Sequence, residues 1–245
     1  NEGVSIAKER LGFEYPTPLL SKVPSKLSVS RLYPDVLDEN DASAELETDE
    51  NEEEFAVPVF IAGESESGAS HGTAMHTFMQ FFDFENVEKF GVRAEVERLM
   101  KEKFLFESDG KKLNIRKLEK FFSSETASLM RNAEAIYREK RFIIFYPAEN
   151  FSEDEETKKA LKGEKLMVQG VIDCAVKTKD GKLILIDYKT DFFPKGTGGD
   201  EIRKTLTERH SRQLGYYKYA CEKLFGRAPD HTYIYSFALD GAIEL

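Results

Sequence analysis

Between residues 168 and 191 the apolar positions fall into two runs separated by a polar turn, and the rest of the chain is arranged around them. Val168 to Lys177 has a β-branched core, and Leu183 to Lys189 begins Leu-Ile-Leu-Ile. Between them Lys179-Asp180-Gly181-Lys182 holds the Asp-Gly pair that tight hairpins favour. The pattern predicts a β-hairpin. Upstream the period becomes helical. His76, Phe78, Met79 and Phe82 predict a helix over Thr73 to Phe82. Val87, Phe90, Val96, Leu99 and Met100 predict one amphipathic helix over Glu85 to Phe104. Leu118, Phe121, Phe122, Leu129 and Met130 face inward from two short helices between Asn114 and Ala135, as core residues rather than a base-stacking platform. Glu134 to Tyr146 starts as a helix end and becomes the first strand, and Pro147 to Gly163 is an acidic excursion.

Beyond the hairpin, Phe192 to Gly199 is a Pro/Gly-rich loop. Asp200 to Arg209 reads as a polar helix and His210 to Phe225 as a second, with Leu214, Tyr217, Cys221 and Leu224 on or near its inner face. Asp230 to Leu239 alternates and closes the sheet. Helices, three strands, helices and a strand make an α/β core, a mixed central sheet flanked by helices.

The first 67 residues have a different character and are read as a partly disordered linker and acidic appendage to a domain spanning 68–245. Pro16, Pro18 and Pro24 punctuate the first segment, and Lys26 to Leu32 alternates as a short strand or anchor. From Asp35 to Glu54 there are 11 acids and no Lys or Arg, too charged to bury surface. Phe55 to Ala62 is apolar around Pro58, and Gly63 to Ser70 is a flexible loop. The formal charge is −10, and without the acidic run it is about +1. Such a body lacks the broad basic surface of a protein that grips duplex DNA unaided. No apolar run is long enough to span a membrane and no signal peptide is visible, so a cytoplasmic location without membrane contact is expected. The first residue is Asn, which suggests a segment of a longer protein. Two cysteines, Cys174 and Cys221, are too few for a disulfide framework or a four-cysteine cluster and read as packed thiols.

The hairpin carries the candidate chemistry. Strand side chains alternate, so Asp187 and Lys189 share a face, and Asp173 on the other arm stands level with Asp187. Two converging carboxylates repel unless a divalent cation lies between them, and oxygen ligands suit Mg²⁺ or Mn²⁺. The neighbouring ammonium can face an anion such as a phosphodiester. An exposed charge pair is the plainer reading of Asp-x-Lys alone.

Four motifs in order change the weighting: Gly72-x-x-x-His76 on a helix, Gly170-x-x-Asp173 on a strand, Asp187-x-Lys189-Thr190-Asp191, and Gln213-x-x-x-Tyr217 with its two residues on one helical face. Together they resemble the PD-(D/E)xK nucleases of the RecB class, whose core is restriction-endonuclease-like. The similarity is nearest to the C-terminal nuclease domain of the AddA subunit of bacterial AddAB helicase-nucleases, and covers roughly residues 68 to 240. It implies a Mg²⁺-dependent deoxyribonuclease, a DNA exonuclease acting in double-strand-break repair and recombination. It also implies a single DNA strand delivered by the rest of a helicase chain, and an AddB-like partner subunit. His76, Asp173, Asp187 and the carbonyl of Tyr188 are then the expected metal ligands. Asp173, Asp187, Lys189, Gln213 and Tyr217 are the expected catalytic set, supported by Thr190 and Asp191. Glu139 stands where the family often has a Glu before Pro-Phe. Here Lys140-Arg141-Phe142 follows, so an outer ligand and a surface charge both stay open. Lys204, Arg209 and Arg212 are the nearest cations for a phosphate backbone, or a solvated helix face. Phe192 and Phe193 could meet a base or simply pack. A catalytically silent scaffold for DNA ends or partners, and a free-standing nuclease of this fold, are the alternatives.

Overall fold

The computed structural model describes residues 26–29, 71–151 and 154–245. The expected boundary at 67/68, the acidic run 35–54, the apolar segment 55–62 and the loop 63–70 lie outside them. The chain forms two compact units, 1–32 with 143–170, and 33–142 with 171–245. In the first, β1 (Lys26–Ser28) runs parallel to the start of β3, with Leu27 paired to Val168. Ala148, Leu161 and Leu166 form a small apolar cluster there. The excursion expected to be irregular contains a 3₁₀ turn (Ala148–Phe151) and a helix, α7 (Glu155–Ala160), whose N-terminus Asp154 caps through Thr157 N at 2.8 Å.

The second unit carries the hairpin. β3 (Lys165–Lys177) and β4 (Leu183–Lys189) are antiparallel, with Cys174 opposite Ile186 and Lys177 opposite Leu183. Gly181 takes the positive φ of 83° that the turn requires, and Thr178 Oγ1 accepts from Lys182 N at 2.9 Å. β5 (His231–Ser236) is parallel to β4, and β6 (Gly241–Glu244) antiparallel to β5, so the sheet is mixed as expected. The alternation ending at Leu239 marks β5 alone, and β6 extends the expected sheet by one strand after a tight turn. β2 (Ala135–Pro147) pairs with β3 and is strand throughout, not a helix end. The preceding helix has already stopped at Arg131.

Every residue of β4 is buried, as in a central strand covered on both faces. Ile184, Ile186 and Tyr188 face a helical layer. That layer comprises α1 (His71–Phe81), α2 (Phe84–Phe90), α3 (Val92–Lys101), α4 (Glu107–Gly110), α5 (Ile115–Phe122) and α6 (Glu125–Arg131). The single helix expected over 85–104 is therefore two. Gly91 at φ 86° breaks it, and Phe90, read as inward, is 69% exposed. Asp83, Asn114 and Ser124 cap α2, α5 and α6 with side-chain oxygens. Phe121 is the hub of the layer, wholly buried, with ring centroids 4.9 Å from Tyr235 and 6.0 Å from Tyr188. Truncation to Ala should cost about 3–5 kcal/mol. The phenylalanines expected in the core are there.

The opposite face of β4 is covered by α8 (Gly199–Phe225), one 27-residue helix where two were expected. No Gly or Pro interrupts residues 200–214, so the change from polar to amphipathic character at His210 is a change of environment, not a break. Leu224 is 39% exposed rather than inward. Both cysteines are buried free thiols, and burial pushes each up to about 12. No helix of the described residues is long and apolar enough to cross a membrane.

At the far end, Asp240 in the β5–β6 turn accepts from Lys117 Nζ at 2.9 Å and also from Lys120. Burial raises the Asp240 carboxyl, but the two ammoniums outweigh it and hold it below the ordinary value. A depressed folded value adds stability above the unfolded pKa and loses it as pH falls through the folded one. Asp240→Asn should therefore cost about 1 kcal/mol at pH 7 and almost nothing near pH 2, as read from urea midpoints.

Candidate metal and hydrolytic site

Three elements of the second unit meet at the end of β4. α1 brings His76, β2 brings Glu139 and β3 brings Asp173. The ligand atoms of these side chains all lie within 4.8 Å of one another. His76 Nδ1 is 3.7 Å from Asp173 Oδ2 and 3.9 Å from Glu139 Oε1. The other ring nitrogen, Nε2, is 3.1 Å from the Tyr188 carbonyl. With Nε2 donating to that oxygen, the Nδ1 lone pair points at the two carboxylates. A metal-binding imidazole commonly has its tautomer fixed in this way. One nitrogen and two carboxylate oxygens fit Mg²⁺ or Mn²⁺.

Of the expected ligands, His76 and Asp173 converge, and Glu139 joins them. Tyr188 O, expected as a ligand, lies 3.1 Å from His76 Nε2. Glu139, for which two readings stayed open, belongs to the group. Asp187, expected as a ligand, is 1% exposed, and its Oδ2 lies 3.2 Å from Lys189 Nζ. Carboxylate and ammonium form a buried ion pair beside the triad. The register set Asp173 level with Asp187, and Asp173 Oδ2 accepts the backbone N–H of Tyr188 at 2.8 Å. Burial, with the Glu139 carboxylate adding to it, raises the Asp173 carboxyl, against the pull of His76 and Lys189. Two acids at short range in low dielectric call for a compensating cation.

Glu139 reaches the group through a backbone distortion. It has φ 46° in the middle of β2, a region that costs a non-glycine residue about 1–3 kcal/mol. Arg138 next to it anchors the strand to α1. Its guanidinium stacks 4.0 Å from the Phe82 ring centroid and donates to the carbonyls of Phe82 at 2.6 Å and Gln80 at 3.3 Å. These are carbonyls at the C-terminal end of α1, which need a partner. The same arginine thus fixes the helix of His76 relative to the strand of Glu139. Glu139→Gly should raise the unfolding free energy by about 1 kcal/mol by relieving the backbone, the opposite of most Gly substitutions in strands. A thermal melt of the metal-free protein checks this.

α8 closes the site from the other face of the sheet. Gln213 Nε2 donates to Tyr217 Oη at 3.0 Å, one turn apart as the spacing implied. The Tyr217 phenol is pushed well above its usual range by burial, and then by the carboxylates of Asp187 and Asp173. It therefore stays a neutral hydroxyl facing both acids. Cations expected to meet phosphate are partly occupied. Arg209 Nη1 is 2.5 Å from Asp191 Oδ1, and Lys204 is 3.9 Å from Glu208. Phe192 is 82% exposed and Phe193 half-buried.

Comparison with known proteins places the chain in a family. A profile described as the PD-(D/E)XK nuclease superfamily matches residues 51–240. A Clostridium botulinum protein, named as a subunit of an ATP-dependent helicase/nuclease, is 33% identical over 252 residues, 100% of this chain and 19% of the relative. A protein of the same name from Alkaliphilus oremlandii is 32% identical over 246 residues, 97% of this chain and 19% of the relative. The chain spans about a fifth of the length of these relatives.

Proposed function

This chain belongs to the PD-(D/E)XK nuclease superfamily, and we propose that it hydrolyses DNA phosphodiesters with the aid of a divalent cation, Mg²⁺ or Mn²⁺. The observation that carries the reading is the convergence of His76 Nδ1, Glu139 Oε1 and Asp173 Oδ2 beside a buried lysine. His76, Glu139 and Asp173 would hold the cation, with Asp187 and the Tyr188 carbonyl close enough in sequence and register to assist. When bound, the cation supplies positive charge that polarises the phosphate and acidifies water.

The protein's own residues do the rest. Lys189, held by Asp187, presents a fixed ammonium to the charge that develops on the phosphate, and does so from a site already stripped of water. Asp187 keeps that amine in one orientation. Tyr217 remains protonated between the carboxylates and offers a hydroxyl, and Gln213 fixes the direction in which it points. Thr190 and Asp191 follow directly and hold the strand end. The buried ion pair and the intact triad favour an active centre over a silent scaffold.

Because the relatives are named as helicase/nuclease subunits, we propose further that the domain works on a single strand delivered by a helicase portion of a longer chain. The near-neutral body fits a domain that is fed its substrate. An AddB-like partner and a role in break repair and recombination, in the cytoplasm, belong to the same proposal.

An end-labelled single-stranded oligonucleotide tests it. The purified chain should degrade the strand in Mg²⁺ and stop in EDTA. Activity should return with Mg²⁺ or Mn²⁺. Cleavage that persists in EDTA would exclude the proposed chemistry.

A further inference from the structure

His210 is a wholly buried polar side chain that this chemistry leaves unused. It lies on the inner face of α8, 0% exposed, with Nε2 3.5 Å from Asp191 Oδ2. Apart from this long contact, neither ring nitrogen nor that carboxylate oxygen has a hydrogen bond among the described residues. A buried nitrogen without a good hydrogen bond is costly, and an apolar side chain would fill the position without that cost. A buried imidazole kept against this penalty needs a reason outside stability.

The position of Asp191 supplies one. β4 ends at Lys189, and residues 190–194 have no strand or helix of their own. The strand end is fixed from one side by Phe237 N, which donates to Lys189 O at 2.9 Å. On the other side Asp191, 7% exposed, ties the chain to α8, with Arg209 on Oδ1 and His210 against Oδ2. Arg209 is 42% exposed and its half of the clamp is open to water. His210 supplies the dry half.

We propose that His210 is a positioning residue that acts through Asp191 to hold Lys189 in its working orientation. This deepens the nuclease reading and rests on it. The 3.5 Å contact joins α8 to the residue two positions beyond Lys189, so it limits how far the strand end can shift. Asp191 supports the idea from its own side. Burial alone would raise its carboxyl, yet His210, Arg209 and Lys189 hold it below the usual range, so the anion is present for both partners to grip.

The test uses His210→Gln, His210→Phe, Asp191→Asn and the His210→Gln/Asp191→Asn double variant. Two readouts are taken: kcat and KM on a single-stranded oligonucleotide in Mg²⁺, and deuterium uptake of the peptide covering residues 190–193 without metal or DNA. His210→Phe should lower kcat about 10- to 100-fold with KM within about twofold, and speed uptake in 190–193. His210→Gln, which keeps a donor, should recover most of the rate. The double variant should be no slower than the slower single, because both act through one contact. A His210→Phe kcat within about twofold of wild type, multiplying effects in the double variant, or unchanged uptake would each overturn the proposal. Absence of cleavage by the wild type would instead refute the nuclease reading, and the uptake arm would still decide whether His210 holds the strand end.

Discussion

Asp173→Asn is expected to reduce Mg²⁺-dependent DNA cleavage by about a thousandfold while leaving the metal-free fold as stable as wild type or more so. The amide oxygen can still accept the Tyr188 N–H that Asp173 Oδ2 accepts at 2.8 Å, so the β3–β4 edge keeps its link. The negative charge is what disappears. Asp173 lies close to both His76 and Glu139. Losing it removes several kcal/mol of the stabilisation that a bound cation gives to the reacting phosphate, and each 1.36 kcal/mol is about tenfold in rate. Without metal the same charge is a burden, because burial and Glu139 both oppose it. Its removal should raise Tm by about 2 to 4 °C in EDTA. Paired with the cleavage assay, melting curves with and without Mg²⁺ check both halves. The gain from Mg²⁺ should be large in wild type and small in the variant.

The second large effect concerns the buried pair Asp187–Lys189. On sequence alone, Asp187→Ala looks harmless to the fold, since it removes one of two converging acids. The structure reverses that expectation. Both side chains are about 2% exposed and 3.2 Å apart, so removing either takes the nearest opposite charge from the other in a buried setting, at about 3–5 kcal/mol. Lys189→Met should therefore lower stability by that amount and cut the rate about 100- to 1000-fold, by loss of a fixed cation at the developing charge. The double variant Asp187→Leu/Lys189→Met should regain most of the stability and none of the activity. Urea unfolding of the two singles and the double at pH 7 measures the coupling. Additive losses would mean that the pair does not act as a unit.

Legibility from sequence followed the length scale of each feature. The hairpin was readable because its signals are local: alternation on both arms and an Asp-Gly turn whose glycine sits at φ 83°. With the turn placed, pairing follows by counting, and so does the approach of Asp173 to Asp187. Gln213 and Tyr217 were readable as neighbours for the same reason, one helical turn. Glu139 was flagged through the family's position for a Glu but left with two readings, because its entry into the site depends on a positive φ within a strand, which no sequence rule calls for. Arg138 was missed, since its role is to cap α1, an element about 60 positions away. The immediate partner of Asp187 was not legible either. The face was right, but whether a carboxylate meets a cation or its neighbouring ammonium is decided by a few tenths of an ångström in a dry interior. The break at Gly91 had a visible cause in its glycine, and the amphipathic pattern on either side hid it.

Diffraction from crystals soaked in Mn²⁺, at a wavelength where manganese scatters anomalously, puts the central claim to its most direct test. The account predicts one strong peak within about 2.0 to 2.6 Å of His76 Nδ1, Glu139 Oε1 and Asp173 Oδ2. An empty triad at a Mn²⁺ concentration that supports cleavage, or a peak elsewhere on the sheet, would contradict it.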